Sequence, residues 1–151
     1  MEWRRGSHLV SDDRSRLDRA LIHAALAQSY WARGIPRAIV ERSLENSLCF
    51  GLYACGDGTA PGGRQLGFAR AITDRATFAY LADVFVLEEG RGRGLARFLV
   101  ECVHAHPDLR DLRRWLLVTR DAHGLYRKLG WRELAQPERH MEIVAPDAYS
   151  S

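Results

Sequence analysis

Apolar positions along the chain follow two periods, and these divide it into helical and extended stretches. The firmest helix is marked by Leu95, Phe98, Leu99, Cys102 and Val103, whose three-and-four spacing puts them on one face, and Pro107 stops it. Asp12 and Asp13 are placed to cap an earlier helix with Leu17, Leu21, Ala24 and Ala25 on its inner side, ending near Gly34. Pro36 suits the first turn of a second helix with Ile39, Val40 and Leu44 facing inward. Leu48 to Cys55 is β-favouring without a helical period, and Gly56 to Gly63 reads as a loose hairpin loop. Leu66 to Thr73 and Phe78 to Leu87 follow as strands across the short link Asp74-Arg75-Ala76, which predicts an antiparallel meander. Arg114 to Thr119 reads as a buried strand. Asp121 is placed to cap a short helix with Ala122, Leu125, Tyr126 and Leu129 on one face and Gly130 at its end. Trp131 to Leu134 and Glu138 to Val144 are expected to close the sheet. The order predicts a mixed α/β domain with no internal repeat.

Composition narrows the class. A chain of 151 residues, 46% hydrophobic and 27% charged, is expected to form one domain, residues 1–151, around a single core. No window has the roughly 18 apolar residues of a membrane span. The first ten residues have no apolar run behind their arginines, so a cytoplasmic protein with no membrane partner is expected. Cys49, Cys55 and Cys102 are too few and too scattered for a disulfide framework or a zinc site. His104 and His106, two apart on a helix, point to different faces, and no metal is expected. The net charge of +3 comes almost wholly from arginine, Lys128 being the only lysine. The arginines are spread along the chain, as on a solvated surface, and no nucleic-acid partner is expected. A homodimer is left open.

One cluster is different. Val86-Leu87-Glu88-Glu89-Gly90-Arg91-Gly92-Arg93-Gly94-Leu95-Ala96 runs from a strand straight into the amphipathic helix. The first amides of a helix have no internal acceptor and carry about half a positive charge, so a phosphate is favoured there. Gly92 and Gly94 remove side chains that would block approach, and Arg91 and Arg93 add cationic forks. The G-x-G-x-x-G fingerprint of dinucleotide folds lacks its final glycine, and a Walker loop lacks its lysine. A disordered Arg-Gly tail does not fit between a strand and a strong helix.

The order Arg91-Gly92-Arg93-Gly94-Leu95-Ala96, behind a strand ending at Val86, resembles the acetyl-CoA motif of the GNAT N-acetyltransferase superfamily. The segment Asp121 to Trp131 is similar to that superfamily's A-x-x-L-Y-x-K-x-G-F stretch. Ser29-Tyr30-Trp31, Asn46 to Gly51 and Tyr80 to Val86 resemble a bacterial branch of it, so the resemblance covers essentially the whole chain.

It implies a GNAT fold, a central mostly antiparallel sheet flanked by helices, with acetyl-CoA as co-substrate and an amine as acceptor. By position, Phe85 and Val86 would supply main-chain groups at a β-bulge to the pantetheine arm. Arg91, Gly92, Arg93, Gly94, Leu95 and Ala96 would hold the pyrophosphate. Tyr126 would donate a proton or a hydrogen bond to the departing sulfur. Proton transfer from a phenol near pKa 10 to a thiolate near 8.5 is uphill by about 2 kcal/mol. Asp83, an acid in an otherwise apolar strand, would be the base or simply a charge that attracts the amine. Tyr30, Trp31, Asn46 and Phe50 are candidate acceptor contacts. Two other readings stay open: a catalytically silent acyl-CoA sensor, and a module that binds nucleic acid through its basic surface.

Overall fold

The computed structural model describes residues 1–56 and 62–150, so the middle of the loop expected between Gly56 and Gly63 lies outside the described residues. Six strands form one sheet in sequential order: β1 (Glu2–Arg5), β2 (His8–Ser11), β3 (Leu48–Ala54), β4 (Arg64–Thr73), β5 (Phe78–Val86) and β6 (Arg114–Leu116). Neighbours are antiparallel except β5 and β6, which run parallel across the helical crossover between them. Helices α1 (Arg19–Gln28) and α2 (Arg37–Glu45) cover one face, and α3 (Leu95–Ala105) covers the other, with α4 (His123–Arg127) following β6. This is the mixed α/β architecture that the pattern predicts, with β3, β4 and β5 as the expected meander.

Helices on both faces explain why β3 shows no alternation: six of its seven residues are buried, as in a strand covered twice. The α3 stripe is buried as its period requires, and each fully buried aliphatic or aromatic side chain in it contributes about 1.5–3 kcal/mol. The second core lies under α1 and α2, where Ile22, Leu26, Val40 and Leu44 meet Cys49 and Phe68 of the sheet.

Several expectations are corrected. The hairpin β1–β2 is absent from the pattern reading; its two-residue turn holds Gly6 at a φ of 58°, the conformation such turns need. No helix starts at Asp12. Asp13 instead accepts the Ser15 N–H at 2.9 Å in a single 3-10 turn, and Asp18, accepting the Leu21 N–H at 3.0 Å, opens α1. That helix ends at Gln28 and not near Gly34. Asp121 does not cap α4; Thr119 Oγ1 takes the Ala122 N–H there at 3.0 Å. Strand β6 stops at Leu116. Neither Trp131 to Leu134 nor Glu138 to Val144 forms a strand, and Pro137–Arg139 is a 3-10 turn. Trp131 turns back because its N–H bonds to the Tyr126 carbonyl at 3.1 Å and its ring joins an aromatic cluster.

Candidate active site

Between β4 and β5, Phe68 faces Phe85 and Arg70 faces Ala82, so Ala69 opposes two residues, Asp83 and Val84. The inserted residue is Asp83, held at a φ of 55° in the left-handed region that few non-glycine residues occupy. A bulge of this kind sharpens the twist and swings the remainder of the strand. On its other side β5 pairs with β6 only from Phe78 to Tyr80, so past Tyr80 that edge has no strand beside it among the described residues. The Leu87 N–H bonds to the Leu66 carbonyl at 2.7 Å. Alternation along an antiparallel ladder then turns the main-chain groups of Val86 toward the open edge and those of Phe85 toward β4. Of the two expected main-chain contacts, Val86 therefore turns its N–H toward the opening, its carbonyl being taken by Arg91, while the main chain of Phe85 faces β4 and its ring packs on Phe68 at 6.1 Å.

The strand leads through a 3-10 turn, Glu88–Gly90, into α3. Gly90 is buried, and a Cβ there would sit 2.9 Å from Val86 Cγ1. Gly92 and Gly94 stand at φ values of 78° and 71°, and a Cβ at either would meet nothing within 4 Å. Backbone conformation demands these two glycines, and the space in front of them is open. The Gly90 and Arg91 N–H groups bond to Leu87 and Glu88 carbonyls at 2.9 and 3.1 Å, and the helix ladder starts with Phe98 N–H to Gly94 at 3.0 Å. From Gly92 through Arg97, no main-chain N–H has an acceptor among the described residues. Six successive free donors at a positive helix end form an anion cradle. Arg91 Nε donates to the Val86 carbonyl at 3.1 Å, clamping turn to strand, while Arg91 and Arg93 are exposed beside the cradle.

The Asp83 carboxylate is engaged at both oxygens. Oδ2 accepts from Arg70 Nε at 2.8 Å, and Oδ1 accepts from the Trp31 indole N–H at 3.0 Å. Arg70 and Asp83 side chains are only 14% and 10% exposed. Arg70 Nη1 also donates to Ser47 Oγ at 2.9 Å, and Arg14 fixes the Ser47 carbonyl at 2.7 Å. Trp31 meets Tyr30 edge-on at 5.0 Å between centroids. Tyr30 Oη accepts the Arg120 N–H at 3.0 Å, and the Arg120 guanidinium lies 3.9 Å over the Tyr30 ring. Tyr30 and Trp31 thus tie the link between α1 and α2 to the β5 bulge on one side and to the approach to α4 on the other.

Helix α4 carries Tyr126. Burial pushes its phenol up to about 12, with Tyr30 adding a smaller push in the same direction. Its ring meets Trp131 at 5.9 Å, and Trp131 stacks on His104 at 5.7 Å while donating its N–H to His104 Nε2 at 3.2 Å. Burial lowers the His104 pKa, which keeps the ring neutral and able to accept that bond.

Tyr30, Trp31 and Asp83 come together in this arrangement. Asn46 and Phe50 do not join them. Asn46 closes α2, its amide donating to the Arg42 carbonyl at 2.9 Å, and Phe50 is wholly buried on the α3 face beside Trp3 and His106. Phe50, wholly buried, has no surface to offer an acceptor, whereas Asn46 is exposed beside Ser47. Arg70, Ser47 and Arg120 escaped the sequence reading, although Arg70 carried a signal, a charge inside an apolar strand. Among the described residues, no group of three or more His, Cys, Asp or Glu side chains could hold a metal ion, and no helix is long and apolar enough to cross a membrane.

The chain as a whole has counterparts among known proteins. Residues 46–133 match the family model described as the acetyltransferase (GNAT) domain. The chain belongs to the GNAT acetyltransferase family. It is 38% identical over 149 residues to FG08082 of Gibberella zeae, a protein classed as an acetyltransferase, across 87% of this chain and 82% of that one. A GNAT-family protein from Xanthomonas campestris pv. campestris, also classed as an acetyltransferase, is 50% identical. Its crystal structure superposes with a TM-score of 0.88 over 97% of this chain and 99% of that one. A protein classed as an acetyltransferase from Clostridium acetobutylicum, solved with acetyl-CoA, shares the fold. Its TM-score is 0.62 at 15% identity, over 91% of this chain and 94% of that one. The matched GNAT span contains the β5 bulge, the glycine turn and Tyr126, while Tyr30 and Trp31 lie upstream of it.

Proposed function

We propose that the chain is an N-acetyltransferase that takes acetyl-CoA along the open edge of β5 and passes the acetyl group directly to an amine at Asp83. The observation that carries this reading is the run of six unused main-chain donors from Gly92 to Arg97, directly after a strand edge left free past Tyr80. The donors suit a diphosphate, and the open space before Gly92 and Gly94 lets it approach. The Clostridium relative's bound acetyl-CoA is consistent with it. Val86 N–H, facing the opening, would donate to the thioester oxygen as charge builds there, a contact of the kind worth about 3–4 kcal/mol in acyl transfer.

Residue roles follow from the local chemistry. A primary amine near pKa 10.4 is protonated at neutral pH, and shedding that proton costs about 4 kcal/mol. Asp83, already shared between Arg70 and Trp31, is better suited to draw in and orient the ammonium group than to carry off its proton. Tyr126 stays a neutral phenol: donating a proton at a pKa of about 12 to a thiolate near 8.5 is uphill by about 5 kcal/mol. Its part is a hydrogen bond to the departing sulfur.

The ion pair at Asp83 also favours a second reading, a GNAT domain that binds acyl-CoA and does not turn it over. Thiol release from acetyl-CoA over a panel of small amines, amino acids and peptides separates the two. The enzyme reading expects release above hydrolysis with a matching acetylated product for at least one acceptor; tight CoA binding without release from any of them favours the sensor.

A further inference from the structure

The Arg70 guanidinium is only partly used by its own chain. Nε and Nη1 donate to Asp83 and Ser47, whereas Nη2, with both its N–H bonds, has no acceptor among the described residues. It is not sealed in the core as an orphan, so it opens to solvent. In a guanidinium Nη2 shares one edge with Nε, the group that Asp83 takes, and an anion held at Nη2 therefore lies beside the Asp83 carboxylate.

Charge around this opening is graded. On the Ser47 side Arg14 stands with Arg70, its guanidinium on the Ser47 carbonyl. On the other side are Asp83 and Glu142. Burial raises the Tyr80 pKa, Asp83 adds to the rise, Arg70 opposes it and Glu142 gives a smaller push upward, which puts these three charges around one phenol. The floor is apolar in part: Arg70 pairs across to Ala82 and Ile72 to Tyr80, so the four share a sheet face, and Ile72 is 42% exposed there.

We infer that the acceptor is a free α-amino acid, its ammonium group on Asp83 and its carboxylate on Arg70 Nη2. The inference rests on the proposal that Asp83 receives the amine. A simple amine gains little from Asp83, because the neighbouring guanidinium already offsets that charge. A zwitterion gains at both ends, since two opposite charges carried on one carbon meet two opposite charges carried by one ion pair. A phosphate dianion at Nη2 would crowd Asp83 with more negative charge. The amino acid's side chain extends over Ile72 and Tyr80, where Glu142 disfavours an acidic one. As the amide C–N bond forms and the thioester C–S bond breaks, the ammonium gives up one proton to the CoA thiolate and another to solvent.

Calorimetric titration of the CoA-saturated full chain with the common amino acids, each beside its decarboxylated amine and its carboxamide, tests this without turnover. At least one amino acid should bind about a hundredfold more tightly than its amine and about tenfold more tightly than its carboxamide. Arg70→Lys keeps a cation for Asp83 and removes Nη2; it should bring acid and amine within about threefold of each other. Ser47→Ala, which only frees Nη1, should lower the preference part-way, and near-ultraviolet circular dichroism checks that both variants fold. Equal affinity for acid and amine in every pair, no binding by any amino acid, or a preference untouched in a folded Arg70→Lys chain would each overturn the inference. Binding of an amino acid without thiol release would instead overturn the enzyme reading and leave this one standing.

Discussion

Trp31 donates its indole N–H to Asp83 at 3.0 Å, joining residues 52 positions apart and fixing a carboxylate at the point where β5 bulges. The bond and the Arg70 pair together hold Asp83 in a backbone conformation it would otherwise avoid. Trp31→Phe keeps the ring and deletes the donor. Steady-state kinetics on the acceptor that proves active should show its KM rising about fivefold, with CoA affinity unchanged. Equal losses in both would place Trp31 in general packing.

Arg70 and Asp83 are too enclosed for either to lose its partner cheaply. Arg70→Met or Asp83→Leu alone should destabilise the fold by about 3 kcal/mol, and the pair substituted together by clearly less than the sum. Urea unfolding of the two single variants and the double variant measures the coupling; strict additivity would mean that the ion pair is incidental.

Tyr126 makes a prediction about alkaline pH. Its folded-state pKa of about 12 is above the ordinary value near 10, so burial favours the neutral phenol. The stability it lends is therefore whole below pH 10 and drains away as pH climbs toward 12. Tyr126→Phe, which cannot ionise, should lose less stability than wild type between pH 9 and pH 11.5 in parallel urea titrations. In activity, the same variant should lower kcat about tenfold or more without moving CoA affinity, and no rate limb between pH 6 and pH 10 should belong to this phenol.

Burial pushes the Cys49 and Cys102 thiols up to about 11 and about 12, whereas Cys55 is only half-buried. Thiolate is the reactive form, so a colorimetric disulfide reagent at pH 8 should titrate one thiol per chain quickly and the other two only on unfolding. Rapid reaction of all three would contradict the packing around α3 and β3.

Much of this was legible in the sequence where one strong local signal governed. The α3 stripe, the meander and the glycine turn each follow from spacing or from φ values that only glycine tolerates readily. The ends of the chain were not. Gly6-Ser7 is a hairpin turn, but its flanking runs are four residues long, too short to show a period, and the first holds two arginines. Met141-Glu142-Ile143 does alternate like a strand, yet it belongs to none of the strands among the described residues. Asp83 stood out as a charge in an apolar strand, and the same reasoning applied to Arg70 would have found its partner. Phe50 is buried on the α3 face, because proximity along the chain says nothing of which face of the sheet a side chain takes.

The most direct trial of the central claim, that the amides from Gly92 to Arg97 grip a diphosphate, is calorimetric titration with CoA of the wild type and of Gly94→Ala. A Cβ at position 94 meets nothing within 4 Å, so the variant should fold, at a cost of about 1 kcal/mol for its left-handed backbone. The account predicts saturable one-to-one binding by the wild type and affinity at least about tenfold weaker in the variant. No heat from the wild type at millimolar CoA, or equal affinity in the two proteins, would contradict it.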